Sequence, residues 1–174
     1  MIGHMPTDDH AARTREYYDV LGEQEWDRLT KDVPGRVSFE VHRRLLAEHV
    51  AAGDRVLEIG AGPGRFTAEL AALGTTVVVT DLSPVQLDLN REHLAGSPAQ
   101  DAVERRELVD VCDLSRYADG EFDVVLAYGG PLSYTFEDED RALRGMLRVV
   151  RPGAHHRRPS PRRRSAHLPD VPCG

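Results

Sequence analysis

Residues 55–67 read RVLEIGAGPGRFT. The run Arg55 to Ile59 is short and β-rich, it stops at Gly60-Ala61-Gly62-Pro63-Gly64, and Phe66, Leu70 and Leu73 then recur at helical spacing. That order is strand, glycine loop, helix. Glycine belongs where a backbone must turn sharply and lie against a ligand with no side chain intervening, and the helix behind such a loop aims its positive end at the same place. Downstream, Thr75 to Thr80 is almost entirely β-branched, as a strand buried on both faces should be, and ends at Asp81. Ser83-Pro84 supplies a cap with proline at the first helical position, and Gln86 stands as in a capping box for a helix to Leu94. Gly96-Ser97-Pro98 opens a polar connection. Arg106 to Val109 and Phe122 to Ala127 read as third and fourth strands, and Glu137 to Val150 as a helix with acids in its first turn. Upstream, Asp8 to Leu29 carries one or two helices, Pro34-Gly35 is a turn signal, and Phe39 to Val50 is a helix capped by Gly53. Strands alternating with helices predict parallel pairing with right-handed crossovers, hence an α/β three-layer, Rossmann-like sandwich with a mostly parallel sheet.

The whole chain has 174 residues, 22 Lys plus Arg, 29 Asp plus Glu and a net charge of −7, which fits one acidic domain. The longest weakly polar run, Leu70 to Thr80, is interrupted by Gly74 and falls far short of the ~20 apolar residues that span a bilayer. The first ten residues lack the basic and apolar regions of a secretory signal, so the expectation is a cytoplasmic protein with no membrane partner. The charge is unevenly divided. Residues 1–150 hold 28 acids and 16 bases, whereas residues 151–174 hold six Arg, one Asp and five of the eleven prolines. A stretch so poor in apolar residues is expected to stay disordered.

Two cofactor classes suit a glycine loop at the carboxyl end of a parallel strand. The dinucleotide pattern is G-x-G-x-x-G, but here the third glycine comes one residue early and Arg65 takes its slot. Glu58, two residues before the first glycine, is ill-suited to a pyrophosphate and well suited to a ligand carrying an ammonium group.

Together, VLEIGAGPGRFT (56–67), VVVTDLS (77–83), VDVCDL (109–114), FDVVLAYG (122–129) and LRVVRPG (147–153) resemble the class I S-adenosylmethionine-dependent methyltransferases, over about residues 40 to 153. The resemblance implies a doubly wound, seven-stranded sheet binding S-adenosyl-L-methionine at the ends of its first strands, and methyl transfer to a small-molecule acceptor. It makes Gly60, Ala61, Gly62 and Gly64 the platform for the methionine part, with Glu58 near its ammonium group. It gives Asp81 the ribose hydroxyls, Leu82 a place against the adenine, and Asp110 with Val111 the adenine edge, with Asp113 as a nearby alternative. Ala127 lies at the fourth strand's end, and Tyr18 with Tyr17 resembles the aromatic lid of some relatives. It divides the chain into a helical lid segment (1–36), a cofactor domain (37–153) and the basic tail (154–174). No catalytic base is marked; Tyr128, Tyr134 and the histidines qualify by chemistry alone.

Plainer readings stand beside these. Asp81, Asp110 and Asp113 could be solvated strand-end acids; Tyr17, Tyr18 and Trp26 could be helix packing; and Cys112 reads as a small buried residue, with neither cysteine at metal-ligand spacing. A nicotinamide-dependent oxidoreductase and a nucleic-acid-binding module using the arginines at 157, 158 and 162–164 are the competing functions, the latter disfavoured. Where the family continues into further strands, this chain runs HHRRPSPRRRSAH (155–167), which reads like a shifted frame or truncated end. The expectations are a sheet lacking its last strands, cofactor binding that outlives full turnover, and self-association through an unpaired sheet edge.

Overall fold

The computed structural model describes residues 7–153, with side chains from His10 onward. The elements run α1 (Thr7–Leu21), α2 (Gln24–Arg28), α3 (Val33–His49), β1 (Arg55–Ile59), α4 (Arg65–Ala72), β2 (Thr76–Asp81), α5 (Pro84–Leu94), α6 (Pro98–Ala102), β3 (Val103–Leu108), β4 (Val124–Leu126), two short 3-10 turns at Pro131–Tyr134 and Phe136–Asp138, and α7 (Glu139–Val149). All pairings between the four strands are parallel, in the order β3-β2-β1-β4.

Alternation along the strands sorts the core into two layers. Val56, Val77 and Val79 face Leu46 of α3, Phe66 and Leu70 of α4 and Leu87 of α5. Leu57, Ile59 and Val78 face the other way, toward Ala142 and Val149 of α7 and the residues between β3 and β4, including Tyr117 and Phe122. Three layers result, as the α/β alternation predicts. The sheet's four strands are short of the family's seven among the described residues, and the basic tail lies outside them.

Three local expectations need correction. Pro34-Gly35 is not a turn: Asp32 caps α3 by accepting from the Gly35 N–H at 2.8 Å, which places Pro34 in the first helical turn, where proline's missing N–H is harmless. The expected segment boundary at residue 36 therefore falls inside α3. Gly53 does not cap that helix, which ends at His49; at φ +87° it turns the chain into β1 and donates to the Gly74 carbonyl. The capping box is half made, because Ser83 Oγ accepts from the Gln86 N–H at 3.1 Å while the Gln86 side chain leaves the helix end and donates to the carbonyls of Tyr18 and Gly22. That redirected amide ties the end of α1 over α5.

Candidate functional site

At the carboxyl ends of the strands a cavity of about 130 Å³ opens beneath α1 and α2. Of the residues singled out from the sequence, Gly60, Ala61, Asp81, Leu82, Asp110, Val111 and Tyr18 line it, as do Arg65, Cys112 and, of the candidate bases, Tyr128, Tyr134 and His10. The others are near but elsewhere.

Glu58 is one of these. It shares the strand face of Val56 and so points into the helical layer, where its carboxylate accepts from the Thr67 hydroxyl at 2.7 Å; Thr67 in turn accepts from Asn90. The side chain is buried with no cation beside it, and burial pushes its pKa up to about 8. Gly62 and Gly64 also lie off the wall, as loop formers. Gly64, at φ +101°, starts α4, and a Cβ there would fall 2.9 Å from Asn90 Nδ2. Ala127 packs in the layer beneath, with Val125 and Leu132. Asp113 is exposed and accepts from the Ser115 N–H, and Tyr17 is exposed against the edge of Tyr18.

The loop's amides are already engaged. Ala61 N–H donates to the Thr80 carbonyl, Gly62 N–H to Asp81 Oδ2 at 2.8 Å, and Gly64 N–H to the Ala61 carbonyl. Asp81 Oδ1 accepts from the Ser83 N–H at 2.8 Å, so both oxygens of this carboxylate hold backbone donors without using all of its lone pairs. Burial raises the Asp81 pKa, the amides of Ser83, Gly62 and Leu82 oppose that, and Glu25 adds to it; no cation is among its influences. A buried acid of this kind suits hydroxyl donors and repels a phosphate. Asp110 Oδ1 accepts from the Cys112 N–H, and burial with the Asp110 charge lifts the Cys112 thiol to about 11, so it is no nucleophile at neutral pH.

Sequence reasoning missed several wall residues: Thr14, Glu25 and Arg28 from the N-terminal helices, and Pro131, Asp138 and Arg141 beyond β4. Their only sequence signal is the Glu25/Arg28 spacing of three on a helix, realised as a 2.6 Å ion pair. Over the cavity the hydroxyl of Tyr18 donates to that of Tyr134 at 3.2 Å, and His10 meets the Phe136 ring at 4.3 Å. Among the described residues no cluster of His, Cys, Asp and Glu could hold a metal, and no helix is long and apolar enough to cross a membrane.

Residues 56–153, more than half of the chain, match the protein family described as Methyltransferase domain. The chain belongs to the class I S-adenosylmethionine-dependent methyltransferases. It is 34% identical over 119 residues to the methyltransferase GfsG of Streptomyces halstedii, covering 68% of this chain and 40% of that protein. It thus spans about two fifths of that relative. Among solved structures, the [4+2]-cyclase SpnF matches 66% of this chain and 42% of its own, at 27% identity and TM-score 0.59. A methyltransferase from Thiobacillus denitrificans in complex with S-adenosyl-L-homocysteine matches 67% of this chain and 44% of its own, at 19% identity and TM-score 0.53, a likeness of fold. Methyltransferase membership displaces the nicotinamide-dinucleotide reading, and the engaged loop amides give the physical reason: those of Ala61, Gly62 and Gly64 are not free to cradle a pyrophosphate.

Proposed function

We propose that this chain binds S-adenosylmethionine in the cavity at the strand ends and transfers its methyl group to a small-molecule acceptor. The observation that carries the reading is the gathering of Gly60, Ala61, Asp81, Leu82, Asp110 and Val111 on one wall. The donor set fits the cofactor: the spare lone pairs of Asp81 suit the ribose hydroxyls, Leu82 offers an apolar surface to the adenine, and Asp110 with the Val111 backbone suits the adenine edge. Gly62 and Gly64 act through loop shape. Glu58 serves by anchoring Thr67, and through it Asn90, beneath the loop, and Asp113 and Ala127 are given no direct contact.

When bound, the cofactor supplies an electrophilic methyl group, whose carbon bonds to the acceptor's lone pair while the carbon–sulfur electron pair returns to sulfur. The protein's part is alignment in a pocket from which water is excluded. Burial holds the phenols of Tyr18 and Tyr128 above their ordinary range, so near neutrality they position by donating hydrogen bonds and do not act as bases. A small-molecule acceptor agrees with the size of the cavity and with the chain's acidic charge, which opposes nucleic acid. A cytoplasmic setting belongs to the same proposal. So does pairing of two copies along the edge of β4, which among the described residues has no strand beside it beyond the Phe122–Val150 bridge.

Calorimetry tests the reading directly. S-adenosyl-L-homocysteine should bind at micromolar concentration and NAD should not; the reverse order would overturn it. Transfer of a labelled methyl group to a panel of small phenols, amines and carboxylic acids then identifies the acceptor class.

A further inference from the structure

Three arginines line the cavity, and two are committed. Arg65 donates to the Trp26 carbonyl at 2.8 Å and to the Thr30 hydroxyl, with its guanidinium 3.9 Å above the Trp26 ring. Arg141 pairs with Asp138 at 3.4 Å, and its charge also bears on Cys112 and Asp110. Arg28 is placed differently. Its Nε donates to Glu25 at 2.6 Å, and its Nη2 lies 3.2 Å from where a Cβ would stand on Gly129, just past the carboxyl end of β4.

Arg28 and Glu25 both bear on the Tyr18 hydroxyl electrostatically, and Glu25 Cγ is 3.7 Å from the Cβ position of Gly62. The pair therefore sits over the glycine loop, on the α2 side of the cavity, while Asp110 and Cys112 stand at the end of β3. Since the sheet order is β3-β2-β1-β4, a ligand with its adenine by Asp110 and its ribose on Asp81 extends across β1 toward Gly129.

We propose that Arg28 and Glu25 together read the amino-acid end of the cofactor, Arg28 taking the carboxylate and Glu25 the ammonium. The assignment rests on the cofactor reading above. A zwitterion presents one anion and one cation at short range, and this wall offers one cation and one anion already held 2.6 Å apart. The guanidinium fork suits a carboxylate, and the Nε bond to Glu25 holds that fork in place without using its terminal nitrogens. The Glu25 side chain is only 12% exposed, so its remaining oxygen is shielded from bulk water.

The test uses the full chain and two ligands, S-adenosyl-L-homocysteine and 5′-methylthioadenosine, which keeps the nucleoside and lacks the amino-acid end. Calorimetry on Arg28→Met should show roughly 10- to 100-fold weaker binding of the first and unchanged binding of the second, the range expected for a charged hydrogen-bond pair. Arg28→Lys should keep part of the preference, and Glu25→Gln should lower it. Equal weakening of both ligands, or of neither, overturns the proposal. If Arg28→Met does not fold by thermal melting, an undiminished preference in both Arg28→Lys and Glu25→Gln overturns it instead. Failure of the underlying reading looks different: Asp81→Asn would then leave both ligands unaffected, whereas a correct cofactor site loses both alike.

Discussion

The two ends of the sheet treat their acids in opposite ways. At the carboxyl end, Glu58 and Asp81 are buried without cations and held above the ordinary carboxylate range. At the amino end, Arg55 bridges Glu104 of β3 at 2.7 Å and Glu121 before β4 at 3.0 Å and covers the Phe122 ring; it holds Glu104 below that range, and the Ala118 N–H together with Arg55 does the same for Glu121. One end spends charge on cross-strand pairing. The other leaves its acids without a counter-charge, a cost to folding that at Asp81, on the cavity wall, suits a place where a ligand's hydroxyls can supply what is missing.

Substitutions should separate the ends. Phe122→Ala, at the fully buried ring beneath Arg55, should cost about 3–5 kcal/mol in denaturant unfolding through the cavity it leaves. A loss below ~1 kcal/mol would show that the amino end is not where stability is concentrated. Asp81→Ala should weaken S-adenosyl-L-homocysteine roughly 10- to 100-fold by calorimetry, since a charged acceptor and the brace on Gly62 go together. A matching loss of affinity from Glu104→Ala would erase the distinction between the ends.

Glu58→Gln is a test by pH. The folded pKa of about 8 lies above the 4.5 of an ordinary glutamate in the unfolded chain, so the native state binds the extra proton and stability falls as pH rises from about 4.5 through 8. Melting temperatures of the unsubstituted chain should decline across that window, and those of the Gln variant should decline less; parallel slopes would refute the buried-acid account. Arg55→Met is the smallest effect. Its pairs are partly exposed, so the loss should be on the order of 1 kcal/mol and shrink in salt. The sign with pH is opposite to that of Glu58. Glu104 and Glu121 have depressed folded pKa values, so their contribution is present above the ordinary carboxylate pKa and lost as pH falls through the folded values. Removing Arg55 should flatten that acid limb.

Much of this layout was legible in the sequence because it rests on local rules. Parallel strands buried on both faces are runs of β-branched residues, and positive-φ turns require glycine, so β1, the loop, α4 and β2 could be placed. What escaped depends on contacts across the fold. Arg28 and Glu25 sit on a five-residue helix whose position is set by Arg65 stacked over Trp26 and by Gln86 gripping the end of α1, neither of which leaves a periodic trace. The direction of Glu58 follows from strand alternation, but which face is the ligand's depends on where the loop and α1 settle. Asp110 and Asp113 are chemically alike in sequence, and only the turn after β3 decides that the first meets the cavity.

Trp26 is the chain's single tryptophan, and it is clamped between two elements it does not belong to: the His93 ring of α5 stacks on it at 3.8 Å and the Arg65 guanidinium of α4 covers it at 3.9 Å. The molecule thus carries its own optical gauge. Its indole emission reports whether α2 is seated on the sheet's helical layer, so every change at the neighbouring glycine loop can be followed in solution without attaching a dye.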